Sequence, residues 1–266
     1  MRLKEKLKGI VPEERLNRLS DRFHVIGDIA VLSLSPEVEP YSKEIAEAVL
    51  SSGRSIHTVL NKTSKLQGDR RVAGLELLAG CDSTITTHKE FGFSYRLDVA
   101  TVFWSSHLGY ERMRVAAAVS AGEEVILPFS GVGPFAIPLA ARGANVLAVE
   151  MSRDACLYLA ENARINRVAD RIAIVNGDAF SIAEMLHKYF HRAVIPAPYG
   201  ADGILEKVLP LVKPGGSLHL YTFKKRHQIQ LLKKSYEDLG LEVRFCRRCG
   251  NVAPAVSRWV FDLAKS

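Results

Sequence analysis

From Val125 onward short apolar runs alternate with helical patterns, and that rhythm constrains the fold more than any other feature. VILPF (125–129), NVLAVE (145–150), RIAIVNGD (171–178), HRAVIPAP (191–198) and SLHLYTF (217–223) read as strands. Between them PFAIPLAARG, SRDACLYLAENARINRV, FSIAEMLHKYF and GILEKVLPLVK carry helical spacing. Strands joined through helices do not pair as hairpins; each crossover brings the next strand in parallel and right-handed. The expectation is an α/β domain with a doubly wound, mostly parallel, Rossmann-like sheet. Such sheets bind ligands outside the carboxyl ends of their strands.

The first half lacks this rhythm. FHVIGDIAVLSL (23–34) is β-rich around a Gly-Asp turn, and PYSKEIAEAVLSS (40–52) places Ile45, Ala48 and Val49 on one helical face. SIHTVLNKTSKLQGDRR reads as strand, turn and loop, and SYRLDVATVFW (94–104) as a further strand. The helix GYERMRVAAAVSA then runs to Gly122. The change of period puts a smaller α+β domain at 1–118 and the Rossmann-like domain at 119–266. With 47% hydrophobic residues the chain can build real cores. No apolar run approaches the roughly 18 residues of a membrane span. The charged start MRLKEKLKGIVPEERL lacks a signal-peptide core, so a cytoplasmic location without membrane contact is expected.

A net charge of +7 suits a polyanionic partner, a property many soluble enzymes share. Cys246 and Cys249 form one CxxC in RFCRRCG, but a tetrahedral zinc site needs two further ligands and none is spaced to supply them. Unpaired thiols and no metal are expected.

Three features fall at the carboxyl ends of the first three parallel strands. Gly131 and Gly133 let the backbone turn sharply and approach a ligand. Glu150 ends the second strand, 19 residues after Gly131, where a carboxylate can accept from both ribose hydroxyls. Asp178 ends the third, where an acceptor can meet an adenine amino group. Taken singly, these are a tight turn, an exposed glutamate and a helix cap; together they point to a nucleotide-bearing ligand. S-Adenosylmethionine fits better than a dinucleotide. Pro134 has no N–H for a pyrophosphate, and the third acidic residue suits an adenine edge.

GVGPFAIPLA, VLAVEMSRDACLYLAENARINRV and IVNGDAF resemble the archaeal and eukaryotic tRNA guanosine-37 N1-methyltransferases. They are equally similar to the sister wybutosine-pathway enzymes, which transfer the aminocarboxypropyl group of S-adenosylmethionine. VIGDIAVL, KEIAEAVL, GDRRVAGLELLAG, TTHKEFGFSYRLDVATVFWSSHLGYERMRVA and NVAPAVSRWVFD extend the resemblance over nearly the whole chain from about residue 22. It implies a class I S-adenosylmethionine-dependent transferase that modifies position 37 of tRNA, most directly by methylating guanine N1. It implies cofactor contacts from Ser105, Arg112, Gly131, Gly133, Glu150, Asp178, Ala179 and Pro196, with Arg112 pairing with the methionine carboxylate. Glu111 matches the general base and Arg71 an arginine near the reacting guanine; otherwise Glu111 is a dipole-favoured residue of a helix's first turn, and Arg71 a surface arginine. The implied partner is the tRNA anticodon region, with a monomer favoured. The basic run FKKRHQIQLLKK (223–234) reads equally as RNA-binding surface or as a solvated helix face.

Two positions depart from the methyltransferases. Pro196-Ala197-Pro198 stands where they carry Asn-Leu-Pro, and Leu127 where they carry aspartate. The sister transferases also lack the asparagine, so both transfers stay open. A non-catalytic protein that binds S-adenosylmethionine or RNA is the third reading.

Overall fold

The computed structural model describes residues 3–21, 23–52, 55–64 and 73–266. Its contacts divide them into two compact units. One takes the chain up to Glu90 together with Ser94–Trp104; the other takes Phe91–Phe93 and Ser105–Ser266. The sequence boundary near residue 118 differs from this division. The helix at 109–117 groups with the second unit because its side chains pack and pair there.

In the first unit, helices α1 (Leu3–Lys6) and α2 (Glu13–Leu16) precede β1 (His24–Ile26) and β2 (Ile29–Leu32). Helix α3 (Ser42–Leu50), β3 (Thr58–Lys62) and β4 (Leu75–Gly80) follow. These strands form one sheet in the order β1-β2-β3-β4. Helix α3 buries Ile45, Ala46 and Val49 in one cluster with Leu32 and Val59; Ile45 and Val49 lie on the stripe expected from the spacing, whereas Ala46 is fully buried and Ala48 only half-buried. A two-stranded sheet, β5 (Ile85–Glu90) and β6 (Phe93–Asp98), ends the region. The strand expected to run to Trp104 stops at Asp98, whose side chain accepts from Ala100 N at 2.9 Å and turns the chain.

The second unit opens with α4 (Gly109–Ala117) and then alternates: β7 (Glu124–Pro128), α5 (Ala136–Ala141), β8 (Asn145–Glu150), α6 (Arg153–Ile165) and β9 (Ile172–Asn176). Helix α7 (Ala179–Met185), β10 (Phe190–Pro196), α8 (Ile204–Val208), β11 (Val212–Lys225) and α9 (Ile229–Asp238) continue it. A hairpin of β12 (Leu241–Ala253) and β13 (Val256–Lys265) closes it. The seven strands are ordered β12-β13-β11-β10-β7-β8-β9. Those from β7 to β11 pair in parallel; β13 pairs antiparallel with both β11 and β12. The order reverses between β7 and β10, which makes their carboxyl ends the place for a ligand.

Strand β11 shows how the sheet separates its faces. Leu218 and Leu220 pack with Phe261, Leu263, Ile204, Leu205, Ile229 and Tyr236, an apolar layer under α8 and α9. Each such side chain contributes roughly 1.5–3 kcal/mol on full burial. His219, Tyr221 and Phe223 alternate onto the opposite face, and there polar groups collect. The basic run becomes the end of β11 and helix α9, which buries Ile229 and Tyr236 and turns Lys234 outward. Among the described residues no helix is long and apolar enough to cross a membrane.

Candidate active site

The turn after β7 is held by its neighbours. Phe129, Gly131 and Gly133 adopt left-handed backbone with φ of 56°, 54° and 95°. Ser130 N donates to Val149 O at 3.1 Å, Gly131 N to Glu150 Oε2 at 2.8 Å, and Asn162 Nδ2 on α6 to Val132 O at 3.1 Å. The two glycines differ in purpose. A Cβ on Gly133 would collide with Leu159 Cδ1, so this glycine permits close helix packing. A Cβ on Gly131 would meet nothing within 4 Å, so this one faces open space.

Glu150 also accepts from Ser152 N on Oε1 at 2.9 Å, which fixes its carboxylate beside the turn. Each oxygen keeps a second lone pair for a ribose hydroxyl. Asp178 caps α7, its Oδ2 accepting from Ser181 N at 3.1 Å and Ser181 Oγ at 2.9 Å. Burial raises its carboxyl pKa, yet the Ser181 donors hold it below the usual range. Asp178 is therefore a helix cap, at the strand end where an adenine acceptor was expected. Ala179 is buried behind it. Pro196 ends β10 in register with Tyr221. Leu127 is buried within β7 and offers a ligand no polar atom. Arg112, also buried, donates through Nη2 to Ser105 O, so these two residues meet. Arg71 lies outside the described residues.

The Ser130 hydroxyl is buried and has no hydrogen-bond partner among the described residues. An orphaned hydroxyl and an open glycine on one turn, with a fixed carboxylate from the end of β8 beside it, suit a polar nucleoside ligand. These residues fit the adenosyl moiety of S-adenosylmethionine.

Glu111 departs most from the bland expectation of an exposed residue in a first turn. It is 2% exposed and both oxygens of its carboxylate accept hydrogen bonds. Oε2 accepts from Arg114 Nε at 2.9 Å and from the Tyr221 hydroxyl at 3.1 Å; Oε1 accepts from Arg247 Nη2. Burial and the Glu111 charge push the Tyr221 pKa up, so its hydroxyl stays a donor. The chain of charges continues through Arg114, which grips Asp262 at 2.5 and 3.0 Å. Asp262 Oδ1 meets His219 Nδ1 at 2.7 Å, and His219 Nε2 meets Arg192 Nη1 at 2.7 Å. Arginine can only donate, so Nε2 accepts and Nδ1 carries the proton. Arg192 then pairs with Glu123 at 2.8 Å.

None of Tyr221, Arg247, Arg114, Asp262 or His219 stood out in the sequence. The one available signal was polar alternation within SLHLYTF, a strand otherwise apolar enough for the core. The cysteines are quiet: burial pushes Cys249 up to about 11 and Cys156 likewise, leaving both as thiols at neutral pH. Among the described residues no cluster of three His, Cys, Asp or Glu could hold a metal.

Residues 86–244 match the TRM5/TYW2 methyltransferase domain. The chain belongs to the TRM5/TYW2 family. Residues 3–84 match the TYW2 N-terminal domain. The chain is 36% identical over 213 residues to the tRNA (guanine(37)-N(1))-methyltransferase Trm5b of Pyrococcus abyssi, covering 80% of this chain but only 63% of that protein. It is 32% identical over 270 residues to the tRNA(Phe) (4-demethylwyosine(37)-C(7)) aminocarboxypropyltransferase of Pyrococcus horikoshii, covering 98% of this chain and 95% of that one. The structure of aTrm5 in complex with tRNALeu superposes with a TM-score of 0.89 at 29% identity, over all of this chain and 78% of the other. P. horikoshii TYW2 in complex with MeSAdo gives 0.79 at 30%, over 99% and 97%.

Proposed function

We propose that this protein transfers a group from S-adenosylmethionine to the purine at position 37 of a tRNA, with methylation of guanine N1 as the leading reaction. The observation that carries the reading is a buried carboxylate, Glu111, in the same unit as a glycine turn shaped for an adenosyl ligand. Bound S-adenosylmethionine supplies a methyl carbon on a sulfonium, and the sulfur–carbon electron pair stays with sulfur as the new bond forms. The chain's own residues do the rest. Glu150 and Asp178 hold ribose and adenine, and Arg112 takes the methionine carboxylate. Glu111 accepts the N1 proton, which makes the N1 lone pair available. The basic surface with α9 engages the RNA backbone, so binding weakens with salt.

One observation favours aminocarboxypropyl transfer as the second reading. The first unit matches the TYW2 N-terminal domain, and the aminocarboxypropyltransferase is covered almost end to end. Mass spectrometry of position 37 after incubation with S-adenosylmethionine and tRNA separates the two, since methyl adds about 14 mass units and aminocarboxypropyl about 101. If tRNA with guanosine or with the wyosine precursor at position 37 gains neither mass, the reading fails.

The glycine pair tests the cofactor assignment. Gly131→Ala is expected to weaken S-adenosylhomocysteine binding at least tenfold while lowering stability by only the roughly 1–2 kcal/mol of left-handed backbone strain. Gly133→Ala adds overpacking against Leu159, about 1–3 kcal/mol more, and is expected to be the less stable variant. Calorimetric titration and thermal melts distinguish the two; equal loss of binding and stability at both positions would contradict the assignment.

A further inference from the structure

We propose that Arg247 is a positioning and specificity residue that works with Glu111, the two reading the adjacent N1–H and O6 of the target guanine; this rests on the function proposed above. The argument starts from how Glu111 can be reached. Tyr221 is buried and Arg114 is 20% exposed, and both occupy Oε2. Oε1 is covered by Arg247, whose side chain is 40% exposed. Of these three partners Arg247 is the most open to solvent, and a proton donor arriving from outside meets it first.

Arg247 is built to stay near that position. It lies on β12 opposite Val260 of β13, and Val260 lies opposite Tyr221 of β11, so one row crosses the sheet under Glu111. The guanidinium sits 4.9 Å from the Tyr110 ring centre and 5.8 Å from that of Phe245, which limits its plane. Its Nε is buried and has no hydrogen-bond partner among the described residues. A buried guanidinium N–H left unsatisfied points to an acceptor supplied by a ligand. The methyltransferase-domain match stops at residue 244, short of this arginine.

The chemistry that fits is an edge with a donor beside an acceptor. A carboxylate next to a guanidinium offers an acceptor beside a donor, complementary to guanine N1–H and O6. Adenine reverses the order, so its N1 lone pair would face the carboxylate and its amino group the guanidinium. As the N1 proton passes to Glu111, negative charge grows on O6, and Arg247 stands beside it. The proton later leaves Glu111 to water, and the Glu111–Arg247 ion pair re-forms when the product departs.

The test measures binding and turnover separately. Anticodon stem-loops with guanosine or adenosine at position 37 are titrated against the full chain saturated with S-adenosylhomocysteine, for wild type, Arg247→Met and Arg247→Lys. Wild type is expected to prefer guanosine by about 5- to 150-fold, Arg247→Met to lose that preference, and Arg247→Lys to keep part of it. S-Adenosylhomocysteine affinity is expected to stay unchanged in all three. With guanosine tRNA, Arg247→Met should lower kcat by about 100-fold or more, with a smaller change in KM. Equal wild-type affinity for both stem-loops, or a preference surviving in Arg247→Met, overturns the proposal. Should Arg247→Met fail to fold, undiminished preference and kcat in Arg247→Lys overturn it, because a single ammonium cannot reproduce the planar fork. Discrimination without any transfer to tRNA would leave Arg247 as proposed and refute the catalytic reading.

Discussion

Glu111→Gln is expected to cut product formation by about 10²- to 10⁴-fold while S-adenosylhomocysteine still binds. The substitution keeps the side chain's length and leaves one oxygen to accept from Arg114 and Tyr221, the two partners on Oε2. It removes the proposed proton acceptor and turns an amide NH2 toward Arg247, placing donor against donor. Stability should fall as well. Breaking a buried ion pair by removing one charge typically costs about 3–5 kcal/mol, and the lower end applies because Arg114 keeps Asp262 and Arg247 is half exposed. The two effects come apart experimentally. A thermal melt reports the lost charge, and ligand titration reports an intact glycine turn. Turnover at a temperature well below the melt then reports the lost base. A Glu111→Gln protein that is folded, binds the adenosyl ligand and turns over at the wild-type rate would remove Glu111 from the chemistry.

How much of this site the sequence disclosed depends on whether a residue acts through local spacing or across the sheet. The placement of Gly131, Gly133, Glu150 and Asp178 at or just after strand ends was legible because strand–helix alternation locates those ends. The structure adds what spacing cannot hold: Glu150 is also the acceptor that pins the turn, and Asp178 is also a helix cap. The parallel strands were legible for the same reason. The closing hairpin was not, because RFCRRCGNVAP mixes arginines with Phe245, Cys246 and Val252 in no clean alternation, and which side chains turn inward is settled only once β13 is paired beside it. Arg247 and Asp262 come from that hairpin and meet α4 more than a hundred positions away. No local pattern encodes such a meeting. Polar residues on a strand of core-like hydrophobicity, His219 and Tyr221, were its only trace.

Asp262 is expected to make stability depend on acid, and to tie that dependence to the active site. Burial alone would raise its carboxyl pKa, but the hydrogen bonds and charges of His219 and Arg114 bring it from 3.8 to about 2. A depressed carboxyl pKa stabilises the fold above the unfolded value of 3.8, and that contribution disappears as pH falls toward 2. The shift corresponds to roughly 2 kcal/mol at neutral pH. His219 acts in the same direction. Burial lowers its pKa below 6.5 despite Asp262, so folding holds it neutral and acid below 6.5 favours the unfolded chain. Asp262→Asn leaves the Arg114 guanidinium with Glu111 alone, and is expected to lose about 3–5 kcal/mol at pH 7, on the order of 10 °C in Tm. The gap to wild type should narrow as pH falls toward 3, because acid removes from wild type what the substitution has already removed. Urea midpoints at pH 7, 5 and 3.5 measure this, and a gap that stays constant would contradict the assigned pairing. Arg114 carries the consequence to Glu111. Released from Asp262, it no longer holds Oε2 in one place, so turnover should fall with cofactor affinity unchanged. A variant that loses stability and keeps full kcat would mean that the buried charges hold the sheet together without positioning the base.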